Sequence, residues 1–274
     1  MAKLTSLVLI FSLLTAIVLL SSCPAMSEEV EDETEFNYDE ASPLGPPNWG
    51  HIKPNEWFLC KNGTMQSPID LRDEVVQISN LGPLQTNYNP SNATLKNRGH
   101  DVKVELMSNS SYLQIDGTQY ELLQFHWHTP SEHTINGVRF DLELHLVHQT
   151  PLNETAVIGV LYTIGMPDPF LSLLEDDLEA ISNNTAGEER AVGVIDPNQI
   201  NFNTTKYYRY MGSLTTPPCS ENVTWTVIKE VKSVSQEQIE LLQAAVHDDY
   251  DYNARPLQPL NNRLVQLNCY GAGP

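Results

Sequence analysis

Basic residues are scarce in this chain of 274 residues, which carries 15 Lys and Arg against 35 Asp and Glu and has a formal net charge of −20 at pH 7. A protein that binds nucleic acid needs a basic surface to meet the phosphates, so this balance argues against a nucleic-acid partner. The sequence also lacks a G-x-G-x-x-G after a predicted strand, and nothing in it therefore predicts a bound flavin or nicotinamide cofactor.

Flexible linkers, low-complexity tracts and internal repeats are also missing from Gly45 onward. Short alternating runs of apolar and polar residues predict strands at TLKN, HDVKVEL, SYLQIDG, YELLQFHWH, FDLELHLVH, AVIGVLYTIG and VTWTVIK. One helix is predicted after Asp168 and Pro169, and another behind a capping box from Ser235 to Gln238. The pattern predicts a mainly β protein with a single domain and a few short helices.

The N-terminal residues differ in composition from the rest of the chain. After Lys3, residues 4–20 are a nearly unbroken apolar run followed by small residues, which predicts a secretory signal peptide over residues 1–25. This run is short for a membrane-spanning helix, so we expect no stable membrane anchor after cleavage. Residues 26–35 are rich in acidic side chains and predict a mobile leader.

Seven N-x-S/T sequons also indicate passage through the secretory pathway and predict a secreted glycoprotein. They lie at Asn62, Asn92, Asn109, Asn153, Asn183, Asn203 and Asn222.

Five of the eight histidines lie between Gln124 and His148. Side chains alternate faces along a strand, so His126 and His128 point the same way. His145 lies on the following predicted strand, and it completes a triangle of imidazoles if the two strands are neighbours. Three neutral imidazoles suit zinc, which in catalytic sites takes three protein ligands and leaves one position for water.

The spacing of the sequence also predicts hydrogen-bond acceptors for two of these histidines. A metal-bound histidine usually donates its other ring N–H to an acceptor. Gln124 lies two residues before His126, and Glu143 lies two residues before His145. Each therefore shares the face of its histidine and is a candidate for that supporting hydrogen bond.

Five further blocks join the histidine stretch in a fixed order: GPPNWGHIKP at 45–54, MQSPIDL at 65–71, KNRGHDVKVEL at 96–106, YRYMGSLTTPPCSENVTW at 208–225 and NARPLQPLNNR at 253–263. Together the six blocks resemble the α-class carbonic anhydrases. The chain is also similar to plant nectarins and dioscorins, which are secreted branches of that family.

The resemblance implies a domain over residues 36–267 with a large, mostly antiparallel central sheet, leaving residues 268–274 as a C-terminal tail. It implies a zinc enzyme, secreted to the apoplast or nectar, that hydrates CO2 reversibly to bicarbonate and a proton by attack of zinc-bound hydroxide. In this family Thr215 orients the hydroxide and donates its own hydrogen bond to Glu132, and His100 shuttles the proton. Asn253, in the last block, joins the residues that support the ligands.

The resemblance also assigns the substrate cleft. CO2 has no charge or strong dipole, so it needs an apolar wall beside the metal. Thr216 lies beside the same cleft. The wall residues are Val147, Val157, Leu214 and Trp225.

Three residues depart from the pattern of the fast members of the family, namely His51, Arg98 and Lys103. We hypothesise that the positive charge of Arg98, two residues from His100, disturbs the proton path and slows turnover.

The cysteines give an odd count once Cys23 is removed with the predicted signal peptide. Secreted members of the family pair the positions of Cys60 and Cys219. Cys269 is then left either as a free thiol or in an interchain bridge, so the sequence leaves a monomer and a disulfide-linked oligomer open.

Two other functions compete with the hydratase. H-x-H-x3-E also begins the manganese site of secreted cupin oxidases, but the later glycine and the P-x-G-x-x-H block of that class are missing. Dioscorins serve storage or defence, and a monodehydroascorbate reductase activity is described for some of them. Dioscorins typically lose zinc ligands, whereas this chain keeps all three.

Overall fold

The computed structural model describes residues 35–182, 188–246 and 252–269. The predicted signal peptide, the leader up to residue 34, the sequon at Asn183 and the tail from residue 270 lie outside the described residues. None of the described helices is long and apolar enough to cross a membrane.

The described part of the chain is mainly β, which confirms the predicted fold class. Its strands are β1 (Asp70–Leu71), β2 (Gln77–Ser79), β3 (Gln85–Asn87), β4 (Ser91–Asn97), β5 (Val102–Leu106), β6 (Tyr112–Ile115), β7 (Thr118–His128), β8 (Thr134–Ile135), β9 (Val138–Arg139), β10 (Leu142–Gln149), β11 (Thr155–Ile164), β12 (Glu189–Ile195), β13 (Lys206–Ser213), β14 (Glu221–Ile228), β15 (Lys232–Val234) and β16 (Gln266–Cys269). Its α-helices are α1 (Trp49–Ile52), α2 (Phe58–Asn62), α3 (Glu175–Ile181) and α4 (Gln236–Ala244). Short 3-10 turns occur at Pro46–Asn48, Leu171–Leu173 and Pro197–Ile200.

One large sheet of 13 strands dominates the molecule, with the order β12-β4-β5-β7-β10-β11-β14-β13-β16-β2 along its main path. β15 pairs with β11, β6 pairs with β7, and β3 pairs with β6. The strands pair mostly antiparallel; the parallel pairs are β11 with β14, β11 with β15 and β16 with β2. A separate sheet of three strands has the order β1-β8-β9.

The pairing of β7 with β10 positions the histidines. His145 lies opposite His126, and Glu143 lies opposite His128. Directly opposed residues of an antiparallel pair point to the same face, so these side chains converge. Phe125 and Trp127 point to the other face and join the larger of the hydrophobic clusters.

The two main helices form close to their predicted positions. The Ser235 hydroxyl accepts from the Gln238 backbone N–H, and the Gln238 side chain accepts from the Ser235 backbone N–H, which is the predicted capping box at the start of α4. Asp168 Oδ1 accepts from the backbone N–H groups of Phe170 and Leu171, both at 3.0 Å. These bonds start a 3-10 turn, so the regular helix α3 begins only at Glu175.

Cys60 and Cys219 form a disulfide, the pair that the resemblance implies, and it closes a sequence separation of 159 residues. Cys269 is unpaired and half-buried within the part of the chain that the structure describes. It is the last residue of β16, so regular structure continues two residues past the predicted domain boundary at residue 267.

The described sequons are mostly accessible. Exposed asparagines stand at positions 62, 92, 109, 153 and 222. Asn203 is half-buried, and its side chain is occupied: Nδ2 donates to Glu230 at 2.9 Å, and Oδ1 accepts from the Thr205 backbone at 2.8 Å. Glycosylation of the accessible sequons stays a prediction.

Candidate metal centre

The structure brings the three predicted metal ligands together. One ring nitrogen from each of His126, His128 and His145 lies within 4.8 Å of the other two. The three side chains are almost completely buried, with exposed fractions of 1%, 0% and 1%. Two neighbouring strands therefore present three imidazoles to one point in the interior, as their spacing in the sequence predicts.

Each ligand histidine has an acceptor at its other ring nitrogen. His126 Nδ1 donates to Gln124 Oε1 at 2.9 Å, and His145 Nε2 donates to Glu143 Oε1 at 2.9 Å. His128 Nδ1 donates to the backbone carbonyl of Asn253 at 2.8 Å. These acceptors fix the tautomers, because a neutral imidazole that donates at one nitrogen keeps a lone pair on the other.

The remaining ring nitrogens fit a zinc ion. They are Nε2 of His126 and His128 and Nδ1 of His145, and three such nitrogens are a donor set that zinc takes in catalytic sites. His128 Nε2 is buried and has no hydrogen-bond partner among the described residues. A buried lone pair without a donor is costly, and a bound cation removes that cost.

Glu143 accepts four N–H groups at once. Oε2 accepts from the backbone of Glu132 and His133, both at 2.8 Å, and Oε1 accepts from the rings of His133 and His145. Burial alone would raise the pKa of the Glu143 carboxyl, but its electrostatic interactions and hydrogen bonds with His133 and His145 hold that pKa well below its usual range. His133, Glu143 and His145 form a second group that could hold a metal ion, but both rings donate to Glu143, so Glu143 and His133 serve as the support of the ligand His145.

A chain of hydrogen bonds continues from this support into the core. His133 Nε2 contacts the Tyr210 hydroxyl at 2.7 Å, and that hydroxyl contacts Ser67 Oγ at 2.7 Å. Ser67 in turn accepts from the Ser213 backbone N–H at 3.1 Å. Neither His133 nor Tyr210 was predicted from the sequence, although His133 directly follows the predicted Glu132 and Tyr210 lies in a matched block.

Glu132 is fully buried, with a backbone contact that the sequence does not reveal. Its Oε1 accepts from the Arg255 backbone N–H at 2.8 Å. Oε2 is buried and has no hydrogen-bond partner within the described ranges. Thr215 is 3% exposed but makes no hydrogen bond to Glu132 among the described residues, so the bond that the resemblance implies is not formed here.

The four residues of the predicted CO2 wall do lie together. Val147, Val157, Leu214 and Trp225 belong to one buried hydrophobic cluster on the histidine face of the sheet. The Trp225 ring lies 4.9 Å from that of His145, centre to centre. Beside them Thr216 Oγ1 is buried and has no hydrogen-bond partner in the described part of the chain.

His100 is fully buried, with 0% of its surface exposed, so it does not lie at an open cleft mouth as we expected. Its ring lies 5.0 Å from that of Phe36, centre to centre.

The charge beside His100 also differs from our expectation. Arg98 is bound to Asp101, with Arg98 Nε donating to Asp101 Oδ1 at 2.7 Å and Nη2 donating to Oδ2. Asp101 Oδ2 lies 3.8 Å from His100 Nε2. Burial alone would raise the pKa of Asp101, but Arg98 holds it far below its usual range. The charge of Arg98 is therefore paired with that of Asp101. The hypothesis that Arg98 disturbs the proton path and slows turnover stays a prediction.

Of the other two unusual residues, one lies close to the site. Lys103 pairs with His126 across β5 and β7 and is 7% exposed, and its Nζ lies 3.6 Å from Glu105. His51 lies exposed on α1.

The fold and the site define a class: a mainly β protein with a buried centre of three histidines suited to zinc. A family model described as eukaryotic-type carbonic anhydrase matches residues 44–269. The chain is 53% identical to alpha carbonic anhydrase 7 of Arabidopsis thaliana over 261 aligned residues. The alignment covers 95% of this chain and 94% of that protein. The chain therefore belongs to the carbonic anhydrase family of the eukaryotic, or α, type.

Solved structures agree with this assignment. The crystal structure of dioscorin complexed with ascorbate matches with a TM-score of 0.84 and 46% identity, covering 87% of this chain and 100% of that one. The α-carbonic anhydrase from Thermovibrio ammonificans in complex with the inhibitor sulfanilamide matches with a TM-score of 0.76 and 37% identity, covering 84% of this chain and 98% of that one. The chain thus resembles both a carbonic anhydrase and a dioscorin.

Proposed function

We propose that this protein is a secreted zinc enzyme that hydrates CO2 reversibly to bicarbonate and a proton. The observation that carries the proposal is the set of three buried imidazoles, each fixed by an acceptor so that its lone pair faces the other two. His126, His128 and His145 would hold the ion. Bound zinc acts as a Lewis acid that makes a water molecule nucleophilic at neutral pH, for which carbonic anhydrase is itself the standard example.

The chain's own residues supply orientation and the substrate pocket. Glu132 Oε2 is the buried carboxylate oxygen left to accept a hydrogen bond, and the Thr215 hydroxyl is its proposed donor. A threonine that donates to Glu132 can only accept from the nucleophile, which sets the direction of attack. Val147 and Trp225 provide apolar surface for CO2, which carries no charge that a polar group could bind.

Stopped-flow CO2 hydration tests this function. We expect the full-length protein to hydrate CO2 well above background, to lose the activity with a chelator and to regain it with zinc. Sulfanilamide should inhibit, since it binds an open metal position as an anion. Metal analysis should find about one zinc per chain. A protein that binds manganese instead, or whose hydration rate ignores both chelator and sulfanilamide, would contradict the proposal.

His100 is the proposed proton acceptor despite its burial, because it is the matched shuttle residue. We expect His100→Ala to lower turnover by up to about 100-fold at low buffer concentration, the lower end of the range for general acid–base catalysis. The measurement is turnover against buffer concentration for both proteins, and added imidazole should restore the variant. Equal rates at low buffer would remove His100 from the mechanism.

The likeness to a dioscorin complexed with ascorbate favours a second candidate, a secreted storage or defence protein with monodehydroascorbate reductase activity. The unpaired Cys269 is its candidate redox group. A reductase activity that survives zinc removal and disappears in Cys269→Ser would support this candidate. Either function is compatible with secretion to the apoplast or nectar.

A further inference from the structure

A cavity of about 550 Å³ opens on the face of the large sheet opposite the histidines. On β13, Tyr210 pairs with Trp225, which contacts the metal centre, while Arg209 pairs with Thr226. Because neighbouring residues of a strand point to opposite faces, Arg209 points away from the metal centre. Arg209 and Met211 form part of the floor of this cavity.

Arg209 is held in place but is not neutralised. Its Nε donates to Thr226 Oγ1 at 2.8 Å, and its guanidinium carbon lies 5.3 Å from the centre of the Tyr207 ring. Among the described residues, no carboxylate oxygen lies within 4.0 Å of its nitrogens, and Nη1 and Nη2 make no hydrogen bond. Burial lowers the pKa of Arg209, but a guanidinium stays charged at neutral pH. The two terminal nitrogens are therefore placed to bind an anion as a fork.

Apolar side chains surround this cation. Leu81, Met211 and Leu264 line the cavity and are 38%, 41% and 54% exposed. Tyr120, from β7, adds a half-buried aromatic ring to the wall. Exposed apolar surface gathered in a concave site is typical of a ligand pocket, and the volume lies within the usual range for one.

The remaining lining groups are mostly uncharged amides. Gln85, Gln114 and Gln266 come from three different strands, and each offers both a donor and an acceptor. Such groups can both donate to and accept from a hydroxyl of a ligand.

One acidic residue also lines the cavity. Asp116 and Gly117, with φ angles of 49° and 85°, form the two-residue turn of the β6–β7 hairpin. Positive φ at both positions is the signature of a type I′ turn, which holds the tip of the hairpin in one place. Asp116 forms no ion pair with Arg209, but its carboxylate is close enough to raise the Arg209 pKa, so it repels a second negative group on a ligand. A ligand with a single negative charge is therefore favoured.

We propose that this cavity binds small hydroxylated aromatic monocarboxylates. The carboxylate would lie on the fork of Arg209, the ring against Tyr120 and Met211, and the hydroxyl within reach of the glutamine amides. This site is separate from the metal centre and does not depend on its activity.

Calorimetric titration with 4-hydroxybenzoate tests the proposal on the zinc-loaded full chain. Saturating sulfanilamide blocks the metal centre, where carboxylates could also bind. We expect one binding site, at least tenfold weaker binding in Arg209→Met, and tighter binding in Asp116→Asn. Arg209→Lys should also bind more weakly, because an ammonium cannot form the fork. CO2 hydration and the unfolding temperature of Arg209→Met serve as controls for its fold.

Four results would overturn the proposal. The first is that sulfanilamide displaces the probe, which would place it at the metal. The second is equal affinity in wild type and a folded Arg209→Met. The third is that the neutral 4-hydroxybenzyl alcohol binds as tightly as the acid, which would remove the role of the cation. The fourth is the absence of any binding at millimolar probe. Because the readout is binding, none of these results bears on the hydratase activity.

Discussion

His145→Ala should strip the protein of zinc and reduce CO2 hydration to the uncatalysed rate. Both ring nitrogens of His145 are engaged at the centre, since Nε2 donates to Glu143 and Nδ1 faces the other two histidines. Substitutions of residues that merely support a metal ligand typically cost about 10–100-fold in metal affinity or activity, so the loss of a ligand should cost more than about 100-fold. Zinc content by metal analysis and stopped-flow rates at matched protein concentration measure both effects.

His148→Ala is the matched control, because His148 is a buried histidine on the same strand. It contacts the Tyr88 hydroxyl at 2.8 Å rather than the metal centre, and burial lowers its pKa to about 4. We expect this variant to lose stability but to keep zinc and activity while folded. A His145→Ala protein that retains full zinc, or a folded His148→Ala that loses it, would show that the metal lies elsewhere.

The ligand set was predictable because it depends on local periodicity. Two-residue alternation alone places His126 and His128 on one face of β7. His145 lies on the same face of β10, so the three rings meet once β7 and β10 are neighbours in this register. Gln124 and Glu143 follow from the same rule, and both make the predicted hydrogen bonds.

Contacts between distant segments were not predictable in this way. The backbone N–H of Arg255 reaches Glu132 across 123 residues of sequence, and the Asn253 carbonyl reaches His128 across 125. Backbone donors and acceptors are the same in every residue, so no side-chain pattern marks them. Asn253 was expected among the supporting residues from the resemblance alone, and the Arg255 contact was not expected at all.

The pairing of Arg98 with Asp101, beside the proposed proton acceptor His100, could not be predicted for a different reason. The sequence places Asp101 three residues after Arg98, but that spacing does not say whether the two side chains meet. In the structure both are buried and paired. Burial makes such a pair obligatory, because an unpaired charge in the interior is strongly destabilising, and the sequence alone does not show which charged residues are buried.

Strands without clean alternation also escaped our prediction. β12 is largely exposed, so its sequence carries little apolar pattern. β13 is buried on both faces at several positions, and its tyrosines serve both clusters. A strand buried on both faces is recognised instead by a continuous apolar run, as in β11, and β13 carries tyrosines, an arginine and a glycine in place of such a run.

Removing the disulfide should have the largest effect on stability. We expect the double variant Cys60→Ser, Cys219→Ser to lose about 5 kcal/mol of unfolding free energy in the chain-entropy model, since the bond closes a loop with a sequence separation of 159 residues. Cys219 is also fully buried, in a cluster with Phe36, Trp49 and Trp57, so a serine there would leave a hydroxyl among aromatic rings. Both effects lower stability.

Denaturant unfolding of zinc-free protein measures this change without a contribution from metal binding. Cys269→Ser is the matched control and should unfold at the wild-type midpoint, because Cys269 closes no loop among the described residues. Reduced wild type should behave like the double variant, apart from the effect of the buried hydroxyls. If oxidised wild type and the double variant unfold at the same midpoint with the same slope, the bond does not restrict the unfolded chain. The stability would then have to come from the large sheet alone.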